Sequence, residues 1–593
     1  MEGPLQPGNV DMLAGSPARP RPGNATTAWH DIAWAKVHRR VRKFQARIAK
    51  AVKEGRWRAV RRLQRLLTRS FSAKCLAVLR VTENRGRKTP GVDGVIWNTP
   101  EAKTDAVSAL GKRDYRPQPL RRIYIPKSNG KKRPLSIPVM ADRACQALHR
   151  LGLDPIAETT ADPNSYGFRK ERSTADAIEQ CYNLLARKCA PSWVLEGDIK
   201  GCFDNFDFDW ILSHIPMDRR ILESWLKAGF IENKTLFPTS AGVPQGGIIS
   251  PTISNMVLDG MERLLREHFP VTKSKKTKHQ VHLVRYADDF IVTADTREVL
   301  EYEVKPLLEN FLRERGLELS AEKTKITHIR EGFDFLGQNM RKYGPQEKLL
   351  TKPSRSNQRQ FREKIRKLLS QLKTAPQEMV IGKLNPVIRG WANYHCHVVS
   401  KRVFGTMDHW IWERLWHWCR RRHPKKNGHW IADRYFVREG TRGWIFQASR
   451  RVVKGQIVKR PGDKDRPYPT LRLMADTKIK RHIKIKQDAN PYDAEWELYF
   501  EQRMTRKMKT DLRGKPRTLW FWQEGICPEC NERLELYRSW EVHHVVYRCR
   551  GGPDTLDNLV LLHPNCHRQL HSRDAAGRSP AGENLTESLS RVR

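Results

Sequence analysis

The sequence has few of the features that mark a secreted or membrane-embedded protein. No positively charged segment followed by an apolar leader opens the chain, and no run of about 18 apolar residues occurs in its 593 positions. Seven of the 11 cysteines are scattered singly, which favours a reducing compartment over a disulfide framework. We therefore expect a cytoplasmic protein with no membrane partner.

Acidic residues are scarce relative to basic ones. The chain has 110 Lys and Arg against 65 Asp and Glu, a formal net charge of +45, and the excess extends along its whole length. Solubility alone does not require such a surplus, and 18 tryptophans are interleaved with the basic residues. A polyanionic partner is the economical explanation, with binding that depends strongly on salt.

Two basic amphipathic helices are predicted near the start of the chain. Apolar residues recur every three or four positions from Trp34 to Val52, and basic residues occupy the opposite face. After the break at Gly55, a second helical pattern carries arginines from Arg56 to Arg69. We expect these faces to contact RNA phosphates, the alternative being solvated surface.

The stretch VHLVRYADDFIVTAD, from Val281 to Asp295, predicts a β-hairpin with two acids at its tip. Runs of β-forming residues flank Asp288 and Asp289. Adjacent ionised carboxylates repel each other, so this turn indicates a divalent-metal site, most naturally for Mg²⁺. A solvated Asp-Asp turn is the alternative.

A second apolar strand, beginning at Trp193, leads to another acid at Asp198. If Asp198 and Asp288 meet at the ends of neighbouring strands, they can hold two Mg²⁺ ions about 3.5–4 Å apart, as in-line phosphoryl transfer requires. Between them, the glycine-rich stretch 241–251 opens a helix and lets backbone approach a nucleic-acid chain. Together these features predict polymerase chemistry.

Two paired-ligand motifs near the C-terminus predict a structural zinc site. Cys527 and Cys530 form the first pair, and His563 and Cys566 form the second. Four such ligands in paired spacing match closed tetrahedral zinc sites. Cys549 is an alternative ligand, ranked below His563 because it lacks a paired neighbour.

Four ordered blocks carry a family resemblance. SYGFR at Ser165, GDIKGCFD at Gly197, GVPQGGIISP at Gly242 and YADD at Tyr286 resemble successive blocks of a reverse transcriptase, in a form similar to proteins encoded by bacterial group II introns. The resemblance extends from about Trp34 over most of the chain. It implies a multidomain α+β protein: a right-hand polymerase with fingers and an antiparallel palm sheet, a helical thumb, a basic DNA-binding segment and a ββα-metal HNH nuclease with structural zinc.

The resemblance also implies domain boundaries. These are a disordered arm at 1–28, an N-terminal extension with basic helices at 29–110, fingers and palm at 111–350, a thumb or maturase (X) domain at 351–423, a DNA-binding region at 424–504, an HNH endonuclease at 505–572 and a disordered tail at 573–593. The pattern of 424–504 is weak, so a flexible basic linker stays open as an alternative.

In the polymerase, the resemblance implies Asp198 and Asp288 as metal ligands and Asp289 as a third catalytic acid nearby. Phe203 would lie under the sugar of the incoming nucleotide, where a ring collides with a 2′-hydroxyl, which predicts a DNA product. A core phenylalanine is the alternative. The remaining nucleotide- or template-binding residues would be Lys127 and Arg133 in the fingers, Gln245 in the glycine-rich block, and Lys323 near the leaving pyrophosphate.

The segment between and after the zinc pairs resembles an HNH nuclease site. That resemblance implies that His543, His567 and His571 hold one divalent ion. His544 would be the general base that activates water, and Asn558 would hold its ring through a hydrogen bond.

The implied function combines three activities. The enzyme would copy intron RNA into DNA by target-primed reverse transcription during retrohoming, assist RNA splicing as a maturase, and cut its DNA target site-specifically. Its partners would be group II intron RNA, target DNA, which would keep it with the nucleoid, and dNTPs, and its cofactors Mg²⁺ and Zn²⁺. Two alternatives are a non-catalytic splicing factor, which the intact acids disfavour, and a host-recruited defence reverse transcriptase, which normally lacks such a tail. The oligomeric state stays open.

Overall fold

A computed structural model describes residues 28–111, 114–126, 130, 132–271, 278–439, 442–448, 451–453, 456–458, 469–512, 514–535, 540–547 and 550–575. Lys127, Cys549, the predicted arm up to residue 27 and the predicted tail from residue 576 lie outside these ranges. Within the described part, no helix is long and apolar enough to cross a membrane.

The described part of the chain starts with a layer of helices, which we call the N-terminal layer (residues 29–109). A short 3₁₀ turn, Trp29–Asp31, precedes α1 (Trp34–Lys53), α2 (Trp57–Arg69), α3 (Phe71–Glu83) and α4 (Pro100–Ala109). The apolar stripe of α1 is buried and its basic positions are mostly exposed, so the predicted amphipathic helix is confirmed. Both α1 and α3 pack against the long helix α5 (Met140–Thr160).

Before α5, the fingers form a hairpin of β1 (Leu120–Pro126) and β2 (Lys132–Ile137) in antiparallel register. After α5 come α6 (Thr174–Leu185), β3 (Trp193–Asp198), α7 (Phe208–His214) and α8 (Arg219–Leu226). The strands β4 (Phe230–Glu232) and β5 (Thr235–Phe237) extend the fingers sheet in the order β2-β1-β4-β5.

The palm is an antiparallel sheet covered by helices. Its further elements are α9 (Ser250–Leu258), α10 (Met261–His268), β6 (His282–Tyr286), β7 (Asp289–Ala294), α11 (Lys305–Arg313) after a π-helical turn, and β8 (Lys325–His328). The strand order is β6-β7-β3-β8. Leu195, Leu283 and Val292 contribute to a core shared with the N-terminal layer. This order places the last residue of β3, Asp198, beside the first residue of β7, Asp289.

A three-stranded sheet and a helical bundle follow the palm. The sheet contains β9 (Phe333–Phe335), β10 (Gln338–Tyr343) and β11 (Lys348–Pro353), and the bundle contains α12 (Arg355–Gln371), α13 (Gln377–His395) and α14 (Lys401–Arg422). Next come α15 (Gly428–Tyr435), the paired strands β12 (Phe436–Glu439) and β13 (Arg442–Phe446), and the paired strands β14 (Arg451–Val453) and β15 (Gln456–Val458). Phe436 and Phe446 join the core of the bundle.

The segment 478–490, which we call the strap, has no regular helix or strand and lies against the palm. Asp176 at the start of α6 accepts hydrogen bonds from His482 Nε2 (2.8 Å) and from the backbone N–H of Ile485 (2.7 Å). Ile485 is fully buried in the core around β3 and β6. The lysine-rich run is therefore packed along the polymerase in this structure.

The C-terminal module consists of few elements. The helices α16 (Glu497–Asp511) and α17 (Lys515–Trp522) precede an antiparallel pair, β16 (Glu541–His544) and β17 (Leu559–Leu562), and the helix α18 (Pro564–Ala575). The strand β17 is buried at all four residues. This ββα arrangement matches the predicted nuclease topology.

Candidate active sites

The palm acids lie where strands of one sheet end. Asp198 is the last residue of β3 and stands opposite Asp289, the first residue of β7. Asp288 lies in the tight turn between β6 and β7, next to Ala287, whose φ is +60°. The predicted hairpin with acids at its tip is thereby confirmed, and it places all three carboxylates at one end of the sheet.

Burial and mutual repulsion shift the pKa of two of these acids upward. Burial raises the pKa of Asp288, and the charge of Asp198 adds to the effect. Burial raises the pKa of Asp289 to about 6, with Asp288 and Asp198 as further causes. A cation bound between the acids would relieve this repulsion, and carboxylate oxygens are the ligands that Mg²⁺ prefers. The residues present therefore fit the predicted metal.

The ligand atoms of the three palm carboxylates lie farther apart than those of a closed metal cluster. In the described part of the chain, the groups of three or more ligand atoms within 4.8 Å of one another are both in the C-terminal module. Asp288 and Asp289 are consecutive, so their side chains diverge. One carboxylate oxygen of Asp198 instead accepts a hydrogen bond from Lys323 Nζ (2.7 Å). That bond, together with the nearby acids, raises the pKa of Lys323.

Arg133 of the fingers and Gln245 of the glycine-rich block are hydrogen-bonded to each other. Arg133 Nε donates to Gln245 Oε1 (2.7 Å), and Gln245 Nε2 donates to both carboxylate oxygens of Asp204 (3.2 Å each). Arg133 is close enough to the turn to lower the pKa of Asp288, against the larger effect of burial. The structure therefore brings two of the predicted nucleotide-binding residues together, with Arg133 near Asp288.

The glycine-rich block fits tightly against both fingers and palm. A Cβ on Gly246, whose φ is +122°, would lie 2.6 Å from the carbonyl oxygen of Ser136 in β2. The carbonyl of Phe203 accepts a hydrogen bond from the N–H of Val243 (2.6 Å). Phe203 is 9% exposed and meets the ring of Phe206 edge-on. The ring is part of the buried apolar core, as the core alternative predicts, and the sugar contact stays a prediction.

A buried arginine behind the hairpin escaped the sequence reasoning. Arg285 in β6 is fully buried, forms an ion pair with Asp259, and donates to the carbonyl oxygen of Ala287 (3.2 Å) in the turn before Asp288. Burial raises the pKa of Asp259 to about 7, and the guanidinium of Arg285 opposes that rise. The signal was a single arginine inside the apolar run LVRY, where a charged residue requires a buried partner.

In the C-terminal module, His543, His567 and His571 form one predicted cluster. Their ligand nitrogens lie within 4.8 Å of one another. Burial, followed by the neighbouring histidines, lowers the pKa of His543 to about 3, so its ring is neutral and can act as a ligand.

The orientation of these rings fits a shared ion. His567 pairs through Nδ1 with Glu541 Oε2 (2.6 Å), and its Nε2 lies 3.1 Å from Nε2 of His571. A carboxylate on one ring nitrogen directs the other nitrogen toward a metal. Glu541 was not predicted, although it opens the same EVHH segment as His543.

The predicted hydrogen bond between Asn558 and the His544 ring is replaced by other contacts. Asn558 donates to the carbonyl oxygens of Val546 (3.0 Å) and Pro553 (2.8 Å), and its side-chain oxygen accepts from the N–H of Val546 (2.7 Å). These bonds hold the loop that follows His544. Nε2 of His544 instead faces Asp554 Oδ1 at 3.4 Å. The spacing in the sequence indicated proximity but could not indicate direction.

The second cluster contains the predicted zinc ligands Cys527, Cys530, His563 and Cys566, again within 4.8 Å of one another. The three cysteines are buried. His563 Nδ1 faces Cys530 Sγ (3.3 Å), and its Nε2 is 3.0 Å from the carbonyl oxygen of Arg533. Three thiols and one oriented imidazole fit a tetrahedral zinc ion.

Comparison with known families matches four parts of the chain. The matching models are "Reverse transcriptase (RNA-dependent DNA polymerase)" at 125–340, "N-terminal domain of reverse transcriptase" at 29–110, "Group II intron, maturase-specific domain" at 358–436 and "HNH endonuclease" at 527–573.

Similar individual proteins cover different parts of the chain. Protein YkfC of Escherichia coli (strain K12) is 36% identical over 324 residues, which are 47% of this chain and 83% of YkfC. Group II intron-encoded protein LtrA of Lactococcus lactis subsp. cremoris is 29% identical over 358 residues, 50% of this chain and 59% of LtrA. Type IV methyl-directed restriction enzyme EcoKMcrA of E. coli is 41% identical over 73 residues, 11% of this chain and 26% of that enzyme.

Proposed function

This chain belongs to the group II intron-encoded reverse transcriptases and maturases, with an added HNH endonuclease domain, and from that premise we propose that it copies intron RNA into DNA at a DNA end that its own nuclease makes. The observation that carries the proposal is that Asp198, Asp288 and Asp289 lie at one end of the palm sheet.

In the polymerase, Asp198 and Asp288 would hold Mg²⁺, with Asp289 beside them. The bound ions supply stabilisation of the attacking and leaving oxygens. Arg133 would grip the phosphates of the incoming dNTP through its planar guanidinium, releasing Gln245. Lys323, already beside Asp198, would stabilise the negative charge of the leaving pyrophosphate. Lys127 of the fingers would contribute a further phosphate contact.

Phe203 would select the product. Its backbone carbonyl accepts a hydrogen bond from Val243, and its ring packs edge-on against Phe206. A ring under the sugar excludes a 2′-hydroxyl by collision and offers it no hydrogen bond. The polymer made is accordingly DNA.

In the nuclease, His544 would take the proton from the attacking water. The carboxylate of Asp554 next to its ring stabilises the imidazolium formed in that step. His543, His567 and His571 would hold one divalent ion, which supplies stabilisation of the leaving oxyanion. Asn558 would act indirectly by fixing the loop after His544. Zn²⁺ at the four Cys and His ligands would have a structural role.

RNA binding would use the basic faces of the N-terminal layer and the thumb. On α12, Arg355, Arg359, Arg362 and Arg366 line a cleft of about 460 Å³. The guanidinium groups of Arg362 and Arg366 lie 5.7 and 5.4 Å from the ring centroid of Trp410. Arginines held by an aromatic ring suit contact with a structured RNA backbone. Through these surfaces the protein would assist splicing as a maturase.

These parts combine into target-primed reverse transcription during retrohoming. The nuclease cuts the target DNA, and the new 3′ end primes DNA synthesis in the palm. The thumb retains the intron RNA as template. The affinity for DNA would also keep the protein with the bacterial nucleoid.

Primer extension on an RNA template with Mg²⁺ tests the polymerase. We expect the wild type to extend a DNA primer and Asp288→Ala to lose about three orders of magnitude or more in rate, because a metal ligand and a transition-state charge contact are both removed. Asp209→Asn, at an exposed acid of α7, is the matched control. Absence of extension by the wild type would favour a splicing factor without catalysis.

A further inference from the structure

The helix α18 carries two of the three histidines of the candidate nuclease metal site. His567 and His571 face β16, with ring centroids 5.0 and 5.1 Å from that of His543. The position of these two ligands therefore depends on how α18 is held against the strands.

Within its own module, α18 is held by the buried side chain of Leu570 and by the ring of His571, which stacks on Tyr547 at 5.1 Å. The strands β16 and β17 form a two-stranded sheet, an arrangement that is marginal without further packing. The zinc cluster anchors the start of the helix through Cys566, whereas His571 lies more than one turn farther along. The turn between His567 and His571 has a further contact outside the module.

The N-terminal layer provides that contact from more than 480 positions away in the sequence. Trp29 Nε1 donates to Asn565 Oδ1 (3.3 Å), and Gln569 Nε2 donates to the carbonyl oxygens of Trp29 (3.3 Å) and His30 (3.0 Å). Arg568 forms an ion pair with Glu83 of α3 (2.5 Å). These residues alternate along α18 with His567 and His571.

The contact of Trp29 with Asn565 and Gln569 lies in the protein interior. Trp29 and Gln569 are each 1% exposed, and Asn565 is buried as well. Trp29 is itself fixed by the ring of Trp34, edge-on at 5.1 Å, and Lys103 Nζ lies 5.3 Å from its ring. One continuous set of buried apolar side chains includes Trp29, palm residues such as Leu195, and Leu570 of α18.

We propose that the N-terminal layer completes the nuclease metal site, with Trp29, Glu83, Arg568 and Gln569 as positioning residues that hold α18 in register with His543. The inference rests on the proposed nuclease function. It assigns to the N-terminal layer a role in DNA cleavage in addition to the predicted contact with RNA.

A charge-swap series in the full-length, zinc-loaded chain tests the proposal. The variants are Arg568→Glu, Glu83→Arg and the two combined, with Lys227→Glu as a matched control, because Lys227 forms an exposed ion pair with Glu223 on α8. Mn²⁺ binding is measured by electron paramagnetic resonance in an Asp288→Ala background, so that the palm does not compete. Nicking of supercoiled plasmid is measured over a range of Mn²⁺ concentrations in the unaltered background.

Each single reversal should weaken Mn²⁺ binding by about tenfold or more, as loss of a supporting partner does at other metal sites. The Mn²⁺ concentration for half-maximal nicking should rise in parallel, and the rate at saturating Mn²⁺ should recover. The double variant should restore both quantities, whereas the control should change neither. Primer extension should stay unchanged in the unaltered background, which shows that the fold is retained.

Unchanged Mn²⁺ affinity in both single variants would overturn the proposal, and so would a loss that the double variant does not restore. If the wild type bound Mn²⁺ and responded to the swap but never nicked DNA, the nuclease reaction would fail and the positioning role would stand. Trp29→Phe, which removes the N–H to Asn565 together with part of the buried ring, should change Mn²⁺ binding in the same direction.

Discussion

The palm holds its acids at the ends of strands inside a four-stranded sheet, whereas the nuclease holds its histidines on a two-stranded sheet and one helix. Buried apolar residues such as Leu195 and Val292 fix the palm strands from within the polymerase. The nuclease has less core of its own, and its helix α18 also contacts the cluster of three cysteines and one histidine and the N-terminal layer. The comparison indicates that a small module can position a site through a neighbouring layer in place of a larger core.

The independence of the two sites is tested most directly by replacing His544, the predicted general base of the nuclease. His544→Ala should lower plasmid nicking by about 100-fold or more, since general-base catalysis contributes on that scale. Primer extension should stay within about twofold, because the two sites belong to different domains. Gln502→Ala, at an exposed residue of α16 in the same module, is the control. Parallel loss of both activities in a folded, zinc-loaded protein would contradict the division.

Removing the zinc should affect the two regions unequally. Structural zinc contributes about 10–16 kcal/mol to the folding of small zinc-finger peptides. Cys566→Ser should therefore abolish nicking and expose the amides of α17 and α18 to hydrogen exchange, while β3 and β7 remain protected. Cys189→Ser, at an exposed cysteine, should change neither. Equal loss of protection in the palm strands would show that the palm also depends on the metal.

In the palm, loss of the buried ion pair between Arg285 and Asp259 should lower the free energy of unfolding more than loss of any exposed ion pair. Arg285→Met leaves the carboxylate of Asp259 without its partner in the interior, so we expect a loss of about 3–5 kcal/mol in the free energy of unfolding. Urea denaturation measures this. Adding Asp259→Asn to the variant should recover part of the loss, because the uncompensated charge is removed. A change below about 1 kcal/mol in Arg285→Met would show that the hairpin is held by its apolar contacts alone.

Substitution of Asp176, which binds the strap, should give the smallest change in the free energy of unfolding and the one that depends most on pH. Hydrogen bonds from His482 and Ser173, with the charge of Arg503, outweigh burial and hold the pKa of Asp176 well below its usual range. A carboxyl whose pKa is depressed by folding stabilises the fold above its unfolded pKa, near 4, and loses that contribution as the pH falls further. The difference in unfolding free energy between wild type and Asp176→Asn should therefore be larger at pH 6 than at pH 3. A constant difference would exclude the ionised carboxylate as its source.

Features with a local pattern were predictable. The runs of β-forming residues around Asp288 predicted the hairpin, and the periodicity from Trp34 predicted α1. The paired spacing of Cys527 and Cys530 predicted half of a cluster that the structure closes. Each depends on residues close together in the chain. The ordered family blocks then supplied the arrangement that periodicity alone could not.

Other features depended on partners that the sequence does not specify. The spacing around His544 placed Asn558 nearby, yet the asparagine holds the loop, and Asp554 faces the ring. Lys323 was expected near pyrophosphate, and its partner in the structure is Asp198. The strap could be interpreted as a linker until Asp176 was seen to bind it.

The amino-acid sequence by itself determined the chemistry available to this protein: the acids of the palm, the cysteines and histidines of the tail, and the positive charge for nucleic acid. Only the tertiary structure decided which of these groups support one another, as when Trp29 and Glu83 hold the helix of His567 and His571. The physical reason is that composition and spacing act along the chain, whereas buried hydrogen bonds and ion pairs select partners by direction and distance in space.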